Sequence, residues 1–200
     1  MIQSLNHIDQ ACLFWINKTL SNPILDWVMP IMTNEKNWII LILIFLIYLG
    51  IFSGKRGKIT LVLLVIALGL SDYIAASILK PYIGRIRPSH TLTDAINLLV
   101  PKGGKWSMPS NHATNMFALA VVVGYFYSKW KWIVFSLATV IAFSRVYVGV
   151  HYPGDVIAGA LLGYCLAWVV LSLWVIIKMR ELKRGQTWVW YEEDPPGIYF

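Results

Sequence analysis

Apolar residues run in long stretches through this chain, and polar residues gather between them. The runs are Trp38–Phe52, Ile59–Leu79, His112–Tyr127, Trp130–Val146 and Gly154–Ile177. A helix rises about 1.5 Å per residue, so the second run reaches about 31 Å, enough to cross the hydrocarbon core of a bilayer. The third and fourth runs lie near the lower limit, as suits helices whose ends are buried in a bundle. Residues 1–33 differ. Leu5, Ile8, Cys12, Trp15 and Ile16 recur at helical spacing, but Asn6, Asp9, Gln10 and Lys18 share the segment, and Pro23, Asp26 and Pro30 interrupt the stretch after it. This predicts an amphipathic helix lying in the interface, with a sixth span as the alternative. The expected fold is an all-α integral membrane bundle of five to six transmembrane helices with an N-terminal amphipathic helix. It is one domain over 1–200, with the amphipathic helix or first span in 1–33, a helical core in 34–178 and a cytoplasmic tail in 179–200.

Composition agrees. The chain is 58% hydrophobic and 14% charged, against about 25% charged in soluble domains. The net charge of +7 does not point to nucleic acid, because the basic residues form no stripe on a soluble face and the arginines interrupt apolar runs. Cys12 and Cys165 form neither a C-x-x-C nor a metal spacing and read as small apolar residues. The N-terminus has no basic residue before Lys18, so no cleaved signal peptide is expected. The tail from Gly185 mixes aromatic residues with Glu192, Glu193, Asp194, Pro195 and Pro196.

With five alternating spans, three polar clusters fall on one side: Lys80 to Arg87-Pro88 after the second span, Pro109-Ser110-Asn111-His112 opening the third, and Ser144-Arg145 to His151 and Asp155 joining the fourth to the fifth. The other side carries Lys55, Arg56, Lys58, Lys129, Lys131, Lys178, Arg180, Lys183 and Arg184. Setting Lys80, Arg87 and Arg145 aside for their chemistry, the basic residues divide nine to five. The positive-inside rule then places the tail in the cytoplasm and the clusters outside it. The polar connection Ser89–Ser107 reads as a surface loop at the rim of the clusters.

Pro153 suits the first turn of the last helix. Asp155 in that turn is favoured by the helix dipole and can reach back to residues just before the helix, as in a capping box. A carboxylate on one ring nitrogen of His151 fixes its tautomer and raises the basicity of the other, which makes the imidazole a plausible nucleophile. Ser110 and Asn111 suit a helix N-terminus, whose free N–H groups face anions. His112 beside them suits a general acid. The guanidinium of Arg87 can grip two phosphate oxygens while Lys80 adds a point charge. Each cluster alone also has a plain reading, as a helix cap, an interfacial histidine or a snorkelling cation. Together they suit a phosphate group on a lipid, with cations supplying the charge that a metal would otherwise bring. No H-x-H, D-x-D or Cys–His set has metal-ligand spacing, and neither a metal nor a cofactor is expected. Asp72, inside the second span, reads either as support for a basic residue of the site or as a carboxylate satisfied by neighbouring helices.

Lys80-x6-Arg87-Pro88, Pro-Ser-Asn-His and Ser-Arg-x5-His-x3-Asp resemble the three-part signature of the type 2 phosphatidic acid phosphatase family. The match covers residues 80–155 in order and spacing. The resemblance implies a metal-independent membrane phosphatase acting on a lipid phosphate, such as undecaprenyl pyrophosphate, lipid A 1-phosphate, phosphatidylglycerophosphate or phosphatidate. It implies that His151 attacks phosphorus to form a phosphohistidine with Asp155 orienting it, and that His112 protonates the leaving oxygen. Lys80, Arg87, Ser110, Asn111 and Arg145 would hold the phosphate. The family usually has Gly where this chain has Asn111. An anion-binding transporter is the competing class, and the lack of an internal repeat and the place of the clusters at helix ends speak against it.

Overall fold

The computed structural model describes residues 2–190; the acidic and proline residues of the tail at 191–200 lie outside them. Among the described residues the regular structure is all helical, apart from one isolated antiparallel bridge between Ile86 and Trp106. The helices are α1 (Ile2–Phe14), α2 (Pro23–Thr33), α3 (Ile39–Ile47), α4 (Gly54–Tyr73), α5 (Lys80–Ile83), α6 (Pro88–Thr91), α7 (Asn111–Phe126), α8 (Lys131–Tyr147) and α9 (Pro153–Lys183). Wider π turns extend α1 over Trp15–Thr19 and α3 over Tyr48–Phe52, and join α4 to α5 over Ile74–Leu79. The last has a chemical cause. Pro81 has no N–H for the Ser77 carbonyl and its ring crowds it, so the turn widens and the helix continues to Ile83 instead of stopping at Leu79.

Two continuous helices, Gly54–Ile83 and Pro153–Lys183, are long and apolar enough to cross a membrane, and Ile39–Phe52 is a shorter apolar helix. With α7 and α8 they make the five expected spans. The boundaries differ from the apolar runs mainly where basic residues continue a helix. Lys55, Arg56 and Lys58 lie inside α4, and Lys178 to Lys183 inside α9. Their long stems stay helical while their charges reach water. At that end Lys55 donates to the Thr187 carbonyl at 2.5 Å, and the Arg56 guanidinium lies between the rings of Tyr127 and Trp190.

Helix α7 is the central post, packed against α9, α8 and α4. Lipid tails are as apolar as leucine, so helices here are held by close packing more than by escape from water. The residues at the contact are accordingly small: Ala113, Ala118 and Ala120 on α7, Gly159, Gly163 and Ala167 on α9. By contrast, α3 is apolar on all faces and buries none of its residues. It meets lipid almost all round.

Residues 1–33 lie across one end of the bundle. Asp9 contacts Arg85 and Gly154, while Asn17 bonds the carbonyls of Asn97 and Tyr147 at 2.8 and 2.7 Å. Arg85 and Asn97 belong to connections, and Tyr147 and Gly154 to the ends of α8 and α9, all at the same end, so α1 passes over the bundle and not through it. Leu13 is its buried anchor, packed with Ile96, Val146 and Val156. The Ser89–Ser107 connection is likewise tied down, with Ser89, Ile96 and Ser107 buried and Ile86 paired to Trp106.

Candidate active site

The five spans bring the three clusters to one cavity of about 430 Å³ at the end covered by α1 and α2. Lys80, Arg87, Asn111, His112, Arg145 and His151 all line it. Asp155 lies behind His151 and Ser110 behind Asn111; both are fully buried.

The closeness of α7 and α9 sets this geometry. A Cβ on Gly159 would stand 2.6 Å from the Ser110 carbonyl, and one on Gly163 1.9 Å from that of Thr114. The Ser110 amide donates to the Asp155 carbonyl at 3.0 Å across the same contact. Two glycines four residues apart in an apolar helix are the sequence signal for such an approach. They place the start of α7, with Ser110 and His112, beside the start of α9, with Asp155.

His151 lies in the short connection between α8 and α9. Its Nδ1 faces Asp155 Oδ2 at 3.4 Å, which leaves Nε2 as the nitrogen free for chemistry. The same Asp155 oxygen accepts the Tyr152 amide at 2.8 Å and the Ser107 hydroxyl. The reach back from the first helical turn thus takes the expected form. Burial is the largest influence on the His151 ring and pushes its pKa down to about 3, against the hydrogen bond it makes to the Asp155 carboxylate, which favours the charged form. The ring is held neutral, as a nucleophile must be.

Arg87 and Arg145 are 8% and 9% exposed. Among the described residues, no carboxylate lies within ion-pair distance of Lys80, Arg87 or Arg145. Arg87 Nε donates to the Trp106 carbonyl at 3.0 Å, and Arg145 donates to Thr33 Oγ1 at 2.5 Å while its Nε has no partner. Burial lowers the pKa of Arg87, with Asp155 opposing. Buried cations outside an ion pair, as Arg87 and Arg145 are, are costly, and a bound anion offsets that cost. Ser110 Oγ is also buried without a partner. The Ser110 hydroxyl does not cap its own helix.

Asn111 differs from the expectation in one respect. Its side-chain amide donates to Asp72 Oδ1 at 2.8 Å, and Asn115 does the same at 3.3 Å. Of the two readings of Asp72, this supports the one in which neighbouring helix groups satisfy it, although it also lines the cavity. Arg85 is turned away from the cavity into ion pairs with Asp9 at 2.5 Å and Asp155 at 2.9 Å. Thr33, at the end of α2, and Glu35, in the turn that follows it, carried no sequence signal, because nothing in their spacing ties them to residues a hundred positions later. Among the described residues no group of three His, Cys, Asp or Glu side chains is placed to hold a metal ion.

A neutral histidine backed by a carboxylate, a second histidine and three cations outside any ion pair at one end of an apolar bundle define a membrane-embedded phosphatase. Residues 60–178 match the model of the PAP2 superfamily, and the chain belongs to that family. It is 32% identical to the lipid A 4'-phosphatase of Bacteroides thetaiotaomicron over 84% of this chain and 78% of that protein. Among solved structures it resembles LpxE of Aquifex aeolicus, with a TM-score of 0.69 and 30% identity over 82% of this chain and 95% of that one. It shares its fold with the PAP2-type phosphatidylglycerolphosphate phosphatase of Bacillus subtilis, with a TM-score of 0.68 and 23% identity over 92% and 90% of the two chains. The chain is a membrane enzyme that hydrolyses phosphate from lipids, and the transporter reading is not favoured.

Proposed function

We propose that this enzyme removes a phosphate monoester from a sugar lipid of the lipid A class through a phosphohistidine on His151 Nε2. The Nε2 lone pair attacks phosphorus, and the bond to the leaving oxygen breaks as His112 gives that oxygen a proton. Water then attacks the phosphohistidine, releasing inorganic phosphate. Asp155 holds the His151 tautomer. Lys80, Arg87 and Arg145, with the Ser110 hydroxyl and the amides opening α7, hold the phosphate oxygens. The observation that carries this reading is the sharing of one cavity by His151, His112 and three cations that no carboxylate pairs at ion-pair distance among the described residues.

The choice of a monoester rests on where the charges lie. The cations lining the cavity suffice for one phosphate. Arg85 is committed to two carboxylates, and Lys105 packs over the Trp106 ring. The remaining cavity wall offers acceptors: the Asp72 and Glu35 carboxylates. A second phosphate would meet repulsion there, while the hydroxyl and amide groups of a sugar would find acceptors. Similarity to a lipid A 4'-phosphatase supports the same class. The uneven distribution of basic residues supports a cytoplasmic-membrane location with the site facing the periplasm or exterior.

The test is phosphate release by the purified enzyme in detergent. Lipid A, undecaprenyl pyrophosphate, phosphatidylglycerophosphate and phosphatidate are compared as kcat/KM. Lipid A is expected to lead, chelators to have no effect, and vanadate to inhibit. A higher kcat/KM on undecaprenyl pyrophosphate overturns the substrate assignment. Retained turnover in His151→Ala overturns the nucleophile.

A further inference from the structure

Asp155 divides its two oxygens between two tasks. Oδ2 serves His151, Tyr152 and Ser107, while Oδ1 accepts from Arg85 at 2.9 Å. Arg85 in turn lies over the Tyr152 ring at 4.1 Å, and its other terminal nitrogen donates to Asp9 Oδ2 at 2.5 Å. The second oxygen of Asp9 accepts the amide of Gly154 at 2.7 Å, in the first turn of α9. Asp9 belongs to α1, the helix that crosses the end of the bundle. Three charged groups therefore lie in line behind the His151 ring.

The charge count gives this line a meaning. Asp155 beside Arg85 alone is a neutral pair, and a neutral pair polarises an imidazole weakly. Asp9 on the far side of Arg85 returns the set to a net charge of −1, that of a lone carboxylate. Arg85 fixes the position of Asp155 by a directional hydrogen bond, and Asp9 offsets the charge that Arg85 brings. The contact of Asp9 with the Gly154 amide also places negative charge at the N-terminus of α9, where the helix dipole favours it.

We propose that Asp9 and Arg85 are positioning residues of the catalytic machinery, acting through Asp155 on His151, and that the N-terminal helix is thereby part of the active site. This rests on the assignment of His151 as nucleophile and Asp155 as its orienting group. Neither Asp9 nor Arg85 touches the phosphate.

The test is a double-mutant cycle on the purified full-length enzyme, with kcat and KM measured separately and thermal unfolding recorded in the same detergent. Asp9→Asn is expected to lower kcat about 10-fold and Arg85→Gln about 100-fold, the range for groups that orient a catalytic residue from behind, with KM within about twofold of the parent. Because Asp9 acts through Arg85, the double variant is expected to match Arg85→Gln alone instead of multiplying the two losses. Arg85→Lys, which keeps the charge between the carboxylates, is expected to recover part of the loss. It also stands in should Arg85→Gln not accumulate as folded protein. Full kcat in Asp9→Asn, a loss confined to KM, or losses that multiply would each overturn the proposal. His151→Ala, run alongside, separates the two failures. An inactive His151→Ala with a fully active Asp9→Asn sinks only this inference, whereas an active His151→Ala sinks the underlying mechanism.

Discussion

Gly163 lies directly against the main chain of Thr114: a side-chain carbon added at 163 would stand 1.9 Å from the Thr114 carbonyl oxygen and 2.8 Å from its carbon. Main-chain atoms cannot swing aside as a flexible side chain can, so any substitution must part α7 from α9. Gly163→Ala gains about 1 kcal/mol of helix propensity, but overpacking of this kind costs about 1–3 kcal/mol. We expect Gly163→Ala to lower the melting temperature in detergent, and Gly163→Leu to lower it further and to abolish phosphate release, because Ser110 and Asp155 move apart with the helices. A variant with a raised melting temperature and parental turnover would show that this contact does not set the site.

The two histidines carry different parts of the barrier, and the leaving group separates them. An alkoxide leaving a lipid or sugar needs a proton, and general acids contribute about 10²–10⁴-fold. A nitrophenolate leaves without one. His112→Ala is therefore expected to slow lipid phosphate hydrolysis by that factor while costing far less on p-nitrophenyl phosphate. His151→Ala is expected to remove activity on both substrates. Equal losses for His112→Ala on the two substrates would take the acid role from His112.

The burial of His151 predicts a dependence on acidity. Its folded pKa of about 3 lies below the unfolded value of about 6.5. Between those values the unfolded chain binds a proton at this site and the folded chain does not, so stability rises with pH. His151 thus costs nothing above about pH 6.5, and its burial becomes progressively destabilising as the pH falls toward 3. The melting temperature of the parent, minus that of His151→Gln, is expected to be flat above about pH 6.5 and to decline below it. The neutral nucleophile also persists through this window, so no loss of kcat/KM near pH 6.5 should arise from this ring. A melting-temperature difference that rises on acidification would contradict the assignment of a depressed pKa.

Much of this molecule is legible in its sequence, and the reasons differ from part to part. The five spans follow from apolar run length, and their parity alone puts Lys80, His112 and His151 on one side. Asp155 is legible because a helix start constrains what lies within one turn of it. Arg85 is visible as a cation, yet its partners are not: Asp9 is 76 residues away, and no periodicity links a helix over the bundle to a connection beneath it. Thr33 reaches Arg145 across 112 residues for the same reason. The hydrogen bonds of Asp72 depend on which way two asparagine amides turn, which α4 and α7 settle jointly.

That last arrangement predicts a change in substrate preference. Asp72 is exposed at the cavity wall and accepts the side-chain amides of Asn111 and Asn115. Donors on a sugar headgroup would reach this carboxylate, whereas a polyprenyl chain or a simple glycerol phosphate brings few or none. Hydrogen bonds involving charged groups are worth about 1.5–3 kcal/mol, so losing one corresponds to about tenfold or more in kcat/KM. Asp72→Asn removes the charge that accepts these donors. It is expected to lower kcat/KM on lipid A about tenfold while changing that on phosphatidate by less than about threefold, so that the preference between the two narrows. Phosphate release from both lipids, measured side by side with the variant, checks this. An equal fall on both substrates would assign Asp72 to holding the helices in place, and the carboxylate would lose its part in choosing the lipid.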